Sequence, residues 1–417
     1  MNEHGRRGVT EDRILAMVLA GGEGTRLHPL TAERSKPAVP FGSRYRIVDF
    51  VLSNLVNSQI HAIYVLVQYK SQSLIEHIRK AWVLAPILPR QFVTVVPPQM
   101  QEGPEWFQGT ADAVYQSLSH LQVNRPALVA VFGADHIYRM DVRQMIDFHC
   151  ERNADITVAA LPVPRAAAST LGIIGCGADG RIHSFVEKPA DPQAMPTDPS
   201  RAFASMGNYI FNAEVLMSVL PEARGRGEHD FGRDLLPRLI GSHRVYAYDF
   251  SANRVPGVQP HEEPAYWRDA GTLDAYFDAN MDTLGATPRL QLFNPRWPLL
   301  SSSYQGPAAN ILEGHIERSH FGAGTLIRGA TVRNSIVRRE VLLEEDVIVE
   351  DSIIMDYCVL QRGARVRRAI IDRHNVIAPG TRIGHDPDAD RARYTVTHSG
   401  IAVVPIAPVR RDTNLYE

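Results

Sequence analysis

The chain has 417 residues, 44% of them hydrophobic and 22% charged, with a formal net charge of −2. That length provides for two or three domains with a sizeable buried core. The near-neutral balance leaves no electrostatic footprint for a nucleic acid or an acidic membrane surface.

Residues 1–12 are polar and no long apolar run follows them, so they predict a loose leader without a secretory signal or membrane-spanning helix. The first folded domain is expected over 13–286. Its opening apolar run, Ile14–Ala20, has the length of a buried parallel strand. It stops at Gly21-Gly22-Glu23-Gly24, a loop nearly free of side chains whose N–H groups can approach a ligand. Arg26 and Lys36 follow as cations near that loop, and Pro37 and Pro40 stiffen the segment after Lys36.

Helical spacing marks 47–57 and 71–82, the latter with Leu74, Ile75 and Ile78 inward. Strands are expected at 62–67, 92–96, 128–132, 156–161, 205–211 and 245–250, with a hairpin over 172–187 turning at Asp179-Gly180. Alternation at this spacing predicts an α/β domain with a mostly parallel, Rossmann-like sheet. Right-handed crossovers then gather the loops after the strands at one edge, where such sheets bind ligands. Gln99 and the Phe107-Gln108-Gly109-Thr110 segment follow the third strand, and Gly133-Ala134-Asp135-His136 follows the fourth. The domain closes on Tyr266-Trp267-Arg268-Asp269 and a helix.

Residues 287–320 have no clear period and read as a connector. Beyond it, over 321–417, every sixth residue from Val341 to Ile383 is aliphatic except Arg365. Neither a strand nor a helix sustains a period of six, whereas a β-helix of hexapeptide repeats requires it; a set of separate strands in a sandwich is the alternative. Arg365 is expected at a turn of irregular length, 386–393 as a charged loop, and 400–405 as a closing strand. The three cysteines, Cys150, Cys176 and Cys358, lack CxxC spacing, which fits reduced thiols in a cytoplasmic protein.

The string GGxGTRLxPLTxxxxKPxxP, matched over 21–40, resembles the signature of the sugar-1-phosphate nucleotidylyltransferases. Joining a nucleotide to a sugar phosphate needs cations on the phosphates, a metal between them and carboxylates to hold it. Arg26 and Lys36 are the candidate cations. Asp135 and Asp269, each alone equally fit for a turn or a helix cap, make as a pair the hard oxygen set that Mg²⁺ prefers. Glu187 and Lys188 offer a carboxylate for sugar hydroxyls and an ammonium for a phosphate, although an isolated Glu-Lys-Pro also fits a surface ion pair.

With PAVPFGSRYRIVDF, EWFQGTADAV, GADHIY, FVEKPA, ASMGNYIF, HDFGRDLLP and YWRDAGT added, the chain resembles the bacterial glucose-1-phosphate adenylyltransferases from about Ile14 onward. The resemblance implies a nucleotidyltransferase domain followed by a left-handed parallel β-helix. It implies transfer of the adenylyl group of ATP to glucose 1-phosphate, with Mg²⁺, for glycogen synthesis in the cytoplasm by a homotetramer. It implies ATP contacts from Gly21, Gly22, Gly24, Thr25, Gln99, Phe107, Gly109 and Thr110, and catalytic roles for Arg26, Lys36, Asp135 and Asp269, the two aspartates holding the metal. Glucose 1-phosphate would meet Phe107, Gly172, Glu187, Lys188 and Ser205. A phosphorylated-metabolite activator and an adenine-nucleotide inhibitor are implied too, with Glu33, Arg34, Arg46, Arg391 and Arg393 as candidates for their site.

Two positions depart from the pattern. Phe107 stands where many members have Tyr, which keeps stacking and removes a hydroxyl. Glu33 stands where enteric-type members have Lys, which predicts an activator with one phosphate rather than two. The alternatives are specificity for another base or sugar, a catalytically silent regulatory subunit, or an added acetyltransferase activity on the β-helix.

Overall fold

Strand β1 (Ile14–Ala20) carries no polar side chain and lies inside a nine-stranded sheet. The computed structural model describes residues 13–85, 88, 90–99 and 105–408, so the leader expected at 1–12 falls outside the described residues. After β1 come a short hairpin, β2 (Pro40–Phe41) and β3 (Tyr45–Arg46), then α1 (Val48–Asn57), β4 (Ala62–Val67), α2 (Gln72–Ala81) and β5 (Phe92–Val96). Helices α3 (Thr110–Tyr115) and α4 (Leu118–Asn124) lead into β6 (Leu128–Gly133). Strands β5, β4, β1 and β6 lie side by side and parallel, so the loops leaving β1 and β6 share one edge.

The rest of the sheet is mixed. After β7 (His136–Tyr138) and α5 (Val142–Glu151) follow β8 (Ile156–Pro164), β9 (Gly172–Cys176), β10 (Ile182–Glu187) and the long β11 (Arg201–Asn212). β11 runs antiparallel to β6, β8 and β9 at once. Helix α6 (Ala213–Gly225), a π-helical turn over Phe231–Leu235 and α7 (Leu236–Leu239) precede β12 (Val245–Asp249), which is parallel to β8. Strand β13 (Trp267–Asp269) leaves this sheet and pairs antiparallel with β7, setting Asp269 opposite His136. Helix α8 (Leu273–Met281) follows, capped by the Thr272 hydroxyl, which accepts the Ala275 N–H.

The connector expected at 287–320 is not irregular throughout. Strand β14 (Asn310–Glu317) already pairs in parallel with β16 (Leu326–Arg333), with β15 (His320–Phe321) between them. Nearly every side chain of β14 is exposed, so it lacks the apolar alternation that betrays a half-buried strand.

Beyond β16 the chain winds as a parallel β-helix. Leu342 pairs with Val359 and Val359 with Val376; Ile348 pairs with Arg365 and Arg365 with Arg382. Over residues 331–383 equivalent positions are 17 residues apart, as in the bond between Ser352 N–H and the Ser335 hydroxyl, one fewer than three hexapeptides. That shortfall recurs each turn, so a strict count of six slides off the inward rows. Leu343, Leu360 and Ile377 form one such row and Val349, Val366 and Ile383 another. Arg365 faces solvent beside the inward Val366; it marks this drift and not one aberrant turn. The segment 386–393, expected as a loop, holds the helix α9 (Pro387–Arg391), whose first N–H groups are accepted by the Asp386 carboxylate.

A third row, Ile336, Ile353, Ile370 and Val403, faces the N-terminal domain and packs with Leu27, Leu30, Phe41, Phe50 and Tyr276 in one apolar core. Arg338 crosses the same seam, donating to the carbonyls of Phe41 (3.0 Å), Gly42 (2.5 Å) and Tyr45 (3.2 Å) and to Asp356 (3.2 Å). No described helix is long and apolar enough to cross a membrane.

Candidate active site

The glycine loop leaves β1 and ends on a 3-10 turn over Thr25–Leu27, which starts from Gly24 at φ +67°. A side chain at Gly24 would also come within 3.0 Å of the Lys36 Cβ, so both conformation and space require glycine there. The Thr31 hydroxyl donates to the Gly24 carbonyl at 2.9 Å and locks the loop beside Lys36.

The pairing of β13 with β7 brings the two aspartates together. The Lys36 ammonium sits between them, 3.0 Å from Asp135 Oδ2 and 2.8 Å from Asp269 Oδ1, on a side chain only 7% exposed. Burial works to lower the Lys36 pKa, but the two carboxylates outweigh it and hold it above the ordinary lysine value. Burial likewise works to raise the Asp135 pKa, and His136 and Lys36 overcome it, keeping the carboxyl below its usual range. Arg26 stands further out, 4.0 Å from Asp269 Oδ2 and largely exposed. His136 Nε2 lies 3.4 Å from Asp135 Oδ1. Ligand atoms of Asp135, His136 and Asp269 fall within 4.8 Å of one another, and the hard carboxylate oxygens suit a divalent cation.

These groups line one side of a cleft of about 890 Å³. Gly172, Glu187, Lys188 and Ser205 line it too, from the β9, β10 and β11 region, and Phe107, Gly109 and Thr110 complete it. Lys188 is 3.5 Å from Glu187 and keeps most of its side chain in solvent. The segment holding Phe107 is pinned at several points. Phe107 N–H donates to Gln68 Oε1 at 2.6 Å, and Gln68 Nε2 donates back to the Phe107 carbonyl at 3.2 Å. The buried Asp112 accepts from Gln108 N–H and from Arg224, both at 2.8 Å. Gly109 passes so close to His229 that a Cβ would lie 2.4 Å from its carbonyl oxygen. That oxygen accepts the N–H groups of Ala111 (2.8 Å) and Asp112 (3.1 Å).

Gln99 stands apart from the other expected nucleotide contacts. Gln99 is exposed, does not line the cleft, and turns its amide onto the Pro97 carbonyl at 2.8 Å. Conversely, Gln68, His136, Asp230, Arg233 and Trp267 line the cleft without having been singled out from sequence. Asp230 accepts the Thr110 hydroxyl at 2.9 Å and caps Gly232 and Arg233. The signal for three of them was the HDFGRDLLP and YWRDAGT strings, which marked the family before any role could be given.

The candidate effector residues divide. Arg34 is buried at the domain seam, donating to the Leu30 carbonyl at 2.8 Å and paired with Asp372. Arg46 donates to the Ser73 carbonyl at 2.9 Å; burial first, and the Arg373 charge second, push its pKa down to about 10. The field of Arg34 also reaches Arg373, so five arginines, counting Arg338 and Arg339, crowd Asp356 and Asp372. Glu33 points to solvent, away from its buried neighbour. Arg391 is held by Asp388 at 2.8 Å and Arg393 lies over the Tyr394 ring. No hydrogen bond or ion pair joins these last two to the seam among the described residues.

The sequence profile of the nucleotidyl transferase family matches residues 15–285, and that of the GlmU-like C-terminal hexapeptide matches 307–404. A glucose-1-phosphate adenylyltransferase of Thermodesulfovibrio yellowstonii is 53% identical over 396 residues, spanning 95% of this chain and 96% of its own. Its namesake in Mycobacterium marinum is 50% identical over 394 residues (94% and 97%). The one in Thermus thermophilus is 48% identical over 407 residues (94% and 98%).

Proposed function

The chain belongs to the glucose-1-phosphate adenylyltransferases, and from that premise we propose how its residues divide the work. The reaction transfers the adenylyl group of ATP to glucose 1-phosphate, giving ADP-glucose and pyrophosphate. A phosphate oxygen of the sugar attacks the α-phosphorus in line, so the protein supplies positioning and charge and no covalent nucleophile.

The N–H groups of Gly21, Gly22, Gly24 and Thr25 cradle the triphosphate, with Arg26 and Lys36 as its cations. Asp135 and Asp269 hold the divalent metal, which we take to be Mg²⁺. When bound, it supplies Lewis-acid charge on the phosphate oxygens. Glu187 takes sugar hydroxyls, Lys188 the sugar's phosphate, and Gly172 and Ser205 line the same subsite. Phe107 stacks against the bound substrates, held by Gln68, while Gly109 and Thr110 carry its segment past the nucleotide. A cytoplasmic location and a homotetramer complete the reading on family resemblance alone.

Regulation belongs to the same reading. Arg34 and Arg46, with Arg338 and Arg373, form the candidate effector site. In its favour, Arg34 Nη1 and Arg373 Nε are buried without a partner, as donors awaiting an anion would be. The anions would be a sugar-phosphate activator and an adenine-nucleotide inhibitor; Arg391 and Arg393 are left out.

One observation carries the catalytic reading. A single cleft receives the glycine loop and Lys36–Asp135–Asp269 group on one side and Glu187, Lys188 and Ser205 on the other. The test is pyrophosphate release with glucose 1-phosphate and each of ATP, UTP, dTTP, CTP and GTP. ATP should win by a wide margin, and equal turnover with UTP or dTTP would refute the assigned base.

A further inference from the structure

We propose that Lys36 is the resident counter-cation of the metal site, so that its ammonium and a divalent ion occupy the Asp135–Asp269 pair in turn. This rests on the reading of those two aspartates as the metal carboxylates. Two carboxylates facing one small space repel each other unless a cation lies between them. Lys36 is that cation, at 3.0 and 2.8 Å, while Arg26 reaches only to 4.0 Å and from the solvent side. Nζ engages one oxygen of each carboxylate, so a metal ion taking those same two oxygens would displace it.

The backbone shows where the ammonium can go. Lys36 begins a 3-10 turn whose three residues are all buried, with Pro37 second, and its Cβ lies against Gly24. The stem therefore starts beside the phosphate-cradling loop, and its four flexible carbons let the head swing without backbone movement. A triphosphate on the loop offers anionic oxygens to the ammonium and frees the carboxylates for the metal. Nucleotide and metal then favour each other's binding, a coupling that needs no change of fold. Lysine suits this task better than arginine, because its compact charge can pass between two partners of different shape.

The test is Mn²⁺ binding to the whole chain without nucleotide, followed by electron paramagnetic resonance of the free ion. Wild type should bind weakly. Lys36→Met should bind about tenfold more tightly or better, the effect of removing one competing charge from a partly screened site. Lys36→Arg, which keeps the charge, should stay near wild type. Lys36→Gln replaces the methionine variant if circular dichroism shows the latter unfolded. Asp135→Asn and Asp269→Asn should each lose Mn²⁺. If they keep it, the carboxylate assignment fails and takes the proposal with it. If they lose it while Lys36→Met binds no better than wild type, the metal site stands and the exchange role is overturned.

Discussion

Arg34 and Asp372 form an ion pair with both side chains out of water, one from the catalytic domain and one from the β-helix. Breaking such a pair by removing one partner leaves a buried charge uncompensated, at a cost of about 3–5 kcal/mol. Asp372→Asn should lose stability on that scale in denaturant unfolding, the more so because Arg46, Arg338 and Arg373 crowd the same seam. The double variant Arg34→Met, Asp372→Leu should recover most of it. A single variant within about 1 kcal/mol of wild type would mean the seam admits water or a counter-ion.

Asp135→Asn preserves size and removes a charge that faces the metal and the phosphates. We expect kcat to fall about 10³-fold, the scale of losing one preorganised electrostatic element where transition-state charge develops. Steady-state rates at saturating ATP and Mg²⁺ decide it; near-normal turnover would take Asp135 out of the machinery.

Lys188→Ala should raise the KM for glucose 1-phosphate well beyond that for ATP. Lys188 belongs to the β10 end of the cleft, and its removal leaves the glycine loop untouched. Equal rises in both constants would show that the two ends of the cleft are not separate subsites.

Gly109→Ala tests close approach rather than chemistry. The added methyl would meet the His229 carbonyl at 2.4 Å, forcing apart a contact that also accepts two N–H groups. An overpacked site of this kind costs about 1–3 kcal/mol. Because Phe107 rides on the same segment, kcat should drop together with thermal stability, measured side by side.

The Lys36 group makes a prediction about pH in metal-free buffer. The Lys36 pKa is raised above 10.5, so its stabilisation is complete below that value and fades as pH climbs through the raised one. The Asp135 pKa is depressed below 3.8, so its share is complete above that value and fades in acid. The Tm difference between wild type and Lys36→Met should therefore stay flat from about pH 5 to 9 and shrink on both sides. A slope between pH 6 and 8 would show that His136, 3.4 Å from Asp135, shares in the group's stabilisation.

Much of the fold was legible because apolar runs of the right length announce buried strands, as in Ile14–Ala20 and Ala62–Val67. The glycine loop and Lys36 were legible from their motif, and the two aspartates only as a pair, since each alone fits a turn or a helix cap. What sequence could not supply was register: only the pairing of β13 with β7 explains why Asp269 meets Asp135. Strand β14 stayed hidden because its side chains face water, and a polar residue after a strand, such as Gln99, says nothing of where its side chain turns. The seventeen-residue winding was masked for the same reason, since a count by sixes lands on inward residues of successive faces until it reaches Arg365.

The shared core at the domain seam has a consequence for how this enzyme can vary. Leu27 and Leu30, buried just after Arg26, share one apolar core with the inward row Ile336, Ile353 and Ile370. The β-helix is thus the floor beneath the loop assigned to the nucleotide. A chimera carrying a relative's β-helix would change that floor, and its apparent affinity for ATP would shift although every residue of the cleft was kept. Grafts that also exchange the segment from Leu27 to Phe41 would be the ones to retain parental substrate constants.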